Sequence, residues 1–159
     1  MKRAFLFVAA LVASTPALAA ETRTCTDVTK KEIAALFERW ETSLHTGDAE
    51  KVAANYASDA VLLPTVSNKT RTDHEGIKDY FEHFLQKKPK GKIDSRTIHI
   101  GCNEAFDVGA YTFTLIGEDG KKSEVPARYS FIYELRDGKW LITHHHSSAM
   151  PEKPGDAKH

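Results

Sequence analysis

Apolar positions recur at helical spacing in the first part of the chain and alternate in the last part, which predicts helices first and strands after. Thr29 followed by Glu32 is a capping box. Ile33, Leu36, Phe37, Trp40 and Leu44 then form one apolar stripe on a long helix that Gly47 ends. Asp48 can cap a second, short helix running through Val52 and Tyr56, after which Ala60-Val61-Leu62-Leu63 reads as a buried strand stopped by Pro64. Asp73 opens a third helix carrying Ile77, Tyr80, Phe81, Phe84 and Leu85, closed by Pro89 and Gly91. From Ile93 onward the breaks at Gly101 to Asn103, Gly117 to Gly120 and Arg136 to Lys139 separate four extended segments. We place these at about Lys92–Ile100, Ala105–Ile116, Ser123–Leu135 and Trp140–Ser147. The predicted fold class is α+β, with three N-terminal helices packed on a curved antiparallel sheet that wraps around the first of them.

The extreme N-terminus follows a different pattern. Lys2 and Arg3 precede an apolar run from Ala4 to Val12, and Ala17-Leu18-Ala19 supplies the small residues that a signal peptidase reads. The run is shorter than the ~20 residues a membrane span needs, so a cleaved signal peptide over residues 1–19 is expected rather than a retained anchor. Cleavage leaves 140 of the 159 residues (159 − 19), enough for one domain, drawn at residues 20–151, before a tail at 152–159 rich in Lys, Pro, Gly and Asp and expected to be disordered. The expected location is the periplasm or the exterior. Losing Lys2 and Arg3 turns 22 basic against 22 acidic side chains into 20 against 22. That near-neutral balance argues against a nucleic-acid partner and, once the signal is gone, against an anionic membrane. An oxidising compartment favours a disulfide between Cys25 and Cys102. A reactive thiol pair is the alternative, but the two cysteines lack Cys-x-x-Cys spacing.

Three short segments carry a family likeness. Thr46-Gly47-Asp48, Asp137-Gly138-Lys139-Trp140 and His144-His145-His146-Ser147-Ser148-Ala149-Met150-Pro151 resemble the association (hub) domain of calcium/calmodulin-dependent protein kinase II and its bacterial stand-alone relatives. Leu62 to Asn68 and Gly101-Cys102-Asn103 look like the bacterial branch. The order of elements is similar to the nuclear transport factor 2-like cone. The resemblance covers nearly all of the chain after the signal. It implies a conical half-barrel with a pocket at its open end and a sheet face that pairs with a second copy. In the kinase, the pocket can hold a small carboxylate through arginines; the corresponding positions here fall on Phe113, Phe131 and Ser147, so that site does not carry over residue by residue. No kinase signature is present, and no basic amphipathic helix offers a calmodulin target.

Other residues are candidates for site chemistry. Along Ser123–Leu135, Ala127, Tyr129, Phe131 and Tyr133 share one face while Arg128, Ser130 and Ile132 share the other, and Arg96 sits similarly between Asp94 and Ile98. Two guanidiniums converging on one cavity could clamp a carboxylate or phosphate; the plainer reading is that each pairs with an internal acid or faces water. His144 and His146 share a face and could both reach one metal ion, with His99 or an acid as a further ligand, but hydrogen-bonded sheet histidines are the favoured reading. His145 points the other way, to the pocket wall or the dimer surface. The expected function is therefore an exported homodimer or higher oligomer that binds a small polar or anionic molecule through Arg71, Arg96, Arg128, Tyr111 and His145, without a cofactor. One alternative is a small cofactor-independent lyase or isomerase using Tyr111, Asp107 or His145, with Tyr129 also of a suitable type. Another is a pure assembly module.

Overall fold

The computed structural model describes residues 24–152. The expected signal peptide at 1–19 and the tail beyond Glu152 lie outside the described residues. Helix α1, Lys30–Leu44, begins where the capping box places it. Thr29 Oγ1 accepts the Glu32 N–H at 3.2 Å, and the Glu32 carboxylate accepts the Thr29 N–H at 2.8 Å. Asp48 caps α2, Ala49–Ala53, and strand β1 then runs over Tyr56–Leu63. Helix α3, His74–Phe84, capped by Asp73, runs into a 3-10 turn at Leu85–Lys87. The meander follows as β2 Lys90–Ile100, β3 Glu104–Ile116, β4 Lys122–Arg136 and β5 Lys139–Ala149. No described helix is long and apolar enough to cross a membrane.

Tyr56 departs from expectation: it belongs to β1, not to the second helix. Asn55 ends that helix by donating its amide to the carbonyls of Lys51 and Val52 at 3.0 and 3.1 Å, and Tyr56 then pairs with Ile142. The sheet order is β1-β5-β4-β3-β2, antiparallel except for the parallel edge pair β1–β5.

Cross-strand register decides which side chains meet inside. Ile98, Asp107, Phe131, His145 and Leu62 form one buried row across the whole sheet, and Arg96, Gly109, Tyr129 and Ser147 form the next. Helix α1 lies in this concave face, where Phe37 meets the rings of Trp40, Tyr111, Tyr129 and Phe131 at centroid distances of 5.7 to 6.5 Å. Trp40 is fully buried, so truncating it to Ala would cost about 3–5 kcal/mol. Gly109 allows β2 to lie close at the irregularity between Ile93 and Ser95, because a Cβ there would stand 2.0 Å from the Ser95 carbonyl oxygen. The disulfide Cys25–Cys102 ties the N-terminal segment to the β2–β3 turn. Asn103 reinforces it by accepting the Thr26 N–H and donating to the Thr24 carbonyl, both at 2.8 Å.

Candidate functional site

Between α1, α3 and the open end of the sheet lies a cavity of about 270 Å³. Its walls are mainly aromatic and aliphatic: Trp40, Tyr80, Phe81, Phe84, Phe113 and Val125 are among them. Its polar groups are few. Tyr111 donates to Ser147 Oγ at 2.6 Å, and Ser147 in turn shares a short hydrogen bond with Thr65, so three hydroxyls from β3, β5 and the loop after β1 satisfy one another. Burial drives the Tyr111 phenol well above its ordinary value, and pushes that of Tyr80 up to about 12, so both stay protonated.

Like Tyr80, Lys87 and Ser123, His145 is a further polar element of the wall. Its ring lies flat on Phe131 with centroids 4.0 Å apart, and its Nδ1 is 2.9 Å from Tyr56 Oη. Trp40 Nε1 donates to the same Tyr56 oxygen at 3.0 Å. Tyr56 has one proton to give, and the arrangement that satisfies all three groups sends it to His145 Nδ1. The imidazole proton then resides on Nε2, a buried donor with no partner. Burial, with smaller contributions from His144 and His146, lowers the imidazole pKa to about 3, so the ring is neutral at physiological pH. It is a donor held in one tautomer, not a base. No Asp or Glu lines the cavity.

Arg96 and Arg128, which could have converged, do not meet, and Arg71, the third candidate, lies apart from both. Arg128 is exposed on the convex face, in register with Ala110 and Ser148. Arg96 is on the concave face beneath α1, its Nε 3.0 Å from Asp107 Oδ2 and its guanidinium over the Phe37 ring at 5.5 Å. Tyr129 donates to the other Asp107 oxygen at 2.8 Å. For Arg96 the plainer alternative, an internal acid partner, is therefore the one observed. Burial raises the Asp107 carboxyl against the opposing pull of Tyr129 and Arg96, and Asp107 does not line the cavity. Arg71 lies outside the cone and pairs with Asp79. Phe113 and Ser147, two of the positions matching the kinase pocket arginines, do line the cavity, and Phe131 backs His145, so no arginine enters it.

His144 and His146 both sit on the convex face, and among the described residues no group of three or more His, Cys, Asp or Glu is placed to hold a metal ion. Sequence reasoning missed Thr65, Trp40 and Lys87 in the cavity wall and Tyr56 behind His145. No spacing rule marks Thr65 or Tyr56, which meet Ser147 and His145 across 82 and 89 residues.

The model of the calcium/calmodulin dependent protein kinase II association domain family matches residues 29–151. The chain belongs to that family. The association domain is also similar to a crystal structure from Xanthomonas campestris, itself only provisionally assigned to the same family. That match is 53% identical with a TM-score of 0.78, over 85% of this chain and 100% of the other. A nuclear transport factor 2-like superfamily protein from Salmonella enterica serovar Typhimurium, 21% identical with a TM-score of 0.67, covers 82% of the association domain chain and 96% of its own. One from Novosphingobium aromaticivorans with a cystatin-like fold, 12% identical with a TM-score of 0.66, covers 78% and 83%. The latter two likenesses speak to the fold alone. No curated protein matches the chain.

Proposed function

We propose that this association domain is an exported, self-associating protein that holds a small, mainly apolar molecule in its cone cavity without transforming it. One observation carries the reading: an aromatic-walled cavity of about 270 Å³ that no carboxylate lines and in which the hydroxyls of Tyr111, Ser147 and Thr65 satisfy one another. Taking about 30 Å³ per water, the space equals about nine waters, which suits a ligand of about ten non-hydrogen atoms. A thermal-shift panel of small aromatic and aliphatic alcohols, ketones and acids tests the reading. Several should raise the melting temperature, and Val125→Phe, which fills the cavity, should abolish the shift while leaving the fold intact. A panel without a hit, or shifts indifferent to Val125→Phe, would remove the proposal.

The lyase or isomerase alternative finds an electrophile in neutral His145 but no base, since no carboxylate lines the cavity. Self-association is supported by the family's name and by the convex face, which no described helix covers. There Phe106 stacks on His99 and is 37% exposed, beside half-buried Val108, Ala110 and Ile132. Light scattering should report a dimer or larger species that Phe106→Glu converts to a monomer; a monomeric parent chain would count against it. Export is supported by the N-terminal pattern and the disulfide. Mass spectrometry of protein from the periplasm should find residue 20 as the first.

A further inference from the structure

The convex face carries two histidines that the cone does not use. His144 and His146 share one side of β5, two residues apart, while His145 between them turns into the cavity wall. Against the expectation of hydrogen-bonded sheet histidines, neither imidazole makes a hydrogen bond or an ion pair with another described residue. His146 is exposed and His144 half-buried. Burial and the neighbouring His146 lower the His144 pKa, so that ring is neutral at physiological pH. The pair is set inside an apolar band. Val61 and Leu63 of β1 stand opposite the two histidines on one side, Ile132 stands opposite His144 on the other, and Phe106 and Val108 continue the band on β3. No Asp or Glu is a cross-strand neighbour of either histidine. Arg128, one row beyond Ser130 and His146, is exposed and screened by water.

We propose that two copies of the chain, meeting convex face to convex face, share one divalent transition-metal ion held by His144 and His146 of each copy. This rests on the reading that the convex face is the self-association surface, and it adds a ligand to that surface. Two residues along a strand span about 6.8 Å, and imidazoles at that spacing on one face can both reach a single ion at about 2.0–2.1 Å. Two ligands are half of what Zn²⁺ takes, since its structural sites are four-coordinate and tetrahedral. A two-fold axis passing beside β5 brings a second pair against the first, and the two pairs supply all four ligands. One chain therefore holds half a site, which is consistent with the lack of any three-ligand group among its described residues. Without an ion, closing the interface over these imidazoles amid Val61, Leu63 and Ile132 would strip them of water and give them no partner. A donor set of imidazoles without carboxylates suits Zn²⁺, Ni²⁺ or Cu²⁺, not Mg²⁺ or Ca²⁺, which take oxygen ligands.

The probes are Zn²⁺ and Co²⁺, added to the mature, disulfide-bonded, tag-free protein after a chelator has removed any metal. Calorimetry should give one ion per two chains, and bound Co²⁺ should show the intense visible absorption of tetrahedral coordination. With free Zn²⁺ at about ten times its Kd, sedimentation should show the dimer tightened about tenfold, because the ion binds the dimer and not the single chain. His146→Ala, at an exposed position, should weaken metal binding at least about a hundredfold, more than the loss of an outer-shell partner costs. The metal-free dimer of that variant should form as in the parent, and His144→Ala should lose the ion in the same way. Three results overturn the shared site and leave self-association standing: a dimeric parent that binds neither ion, binding that survives both substitutions, or one ion per chain bound equally well by the monomeric Phe106→Glu variant. A parent that stays monomeric with and without metal overturns both readings.

Discussion

Lowering the pH should destabilise the association domain chiefly through His145, with a smaller share from His144, whose pKa burial also lowers, and the size of the effect follows from the surroundings of His145. Its folded pKa of about 3 lies below the ordinary 6.5, so as pH falls the unfolded chain takes up the proton first. The stability that neutral His145 contributes is complete above the unfolded value and is lost as pH drops from 6.5 toward 3. At about pH 5 the chain is about 1.5 units below the unfolded value, which at about 1.36 kcal/mol per unit gives a loss of about 2 kcal/mol. For a domain of this size that is a fall of roughly 6–8 °C in melting temperature. The comparison is with His145→Asn, whose amide oxygen can still accept from Tyr56 but does not titrate. The variant should be less stable near neutrality, yet its melting temperature should change by several degrees less between about pH 7 and pH 5. Nitrogen-15 NMR on the parent should show His145 as the neutral Nε2–H tautomer throughout that range. Parallel pH profiles for parent and variant, or an Nδ1–H or doubly protonated ring at neutral pH, would refute the Trp40–Tyr56–His145 arrangement.

Three further outcomes are expected. Reducing the disulfide, or replacing Cys25 and Cys102 with Ser, frees a link that spans 77 residues and should cost about 4–5 kcal/mol on the chain-entropy estimate, read as a lower denaturation midpoint. Gly109→Ala should lower stability by roughly 1–3 kcal/mol or prevent folding, since its Cβ would meet the Ser95 carbonyl; an unchanged midpoint would mean that β2 moves away freely. Tyr129→Phe removes the donor to buried Asp107 and should cost about 1–3 kcal/mol in chemical denaturation, without changing the affinity for cavity ligands, because Asp107 is not in the cavity wall.

The fold was legible because local chemistry and the global pattern agree along most of the chain. The Thr29/Glu32 box starts α1 where expected, and alternation in β4 sorts inward Tyr129, Phe131 and Tyr133 from outward Arg128 and Ile132. The Tyr56 boundary failed because Asn55 acts through a side-chain bond to the helix end, and the pattern of apolar residues is silent about that. The site was harder to read. Alternation could say that Arg96 and Arg128 each lie on a definite face, but the two lie in different strands, and relating their faces needs the β2–β3–β4 register and the irregularity after Ile93. That register puts Arg96 in the row of Tyr129 and Ser147 and leaves Arg128 in the row of Ser148, on opposite sides of the sheet. Arg71 was a candidate without a geometric reason. Its place at the mouth depends on the bridge to Leu62 and on the loop that carries Thr65 back to Ser147, 82 residues away.

The non-catalytic reading depends on the cone being a receptacle rather than a packed core, and the location of a bound molecule tests that most directly. With 3-phenylpropanoate added to isotope-labelled protein, NMR should give intermolecular contacts from the aromatic protons to Val125, Ala127 and Leu62, residues of the cavity wall. Contacts confined to Phe106 and Ile132 on the convex face would contradict the account.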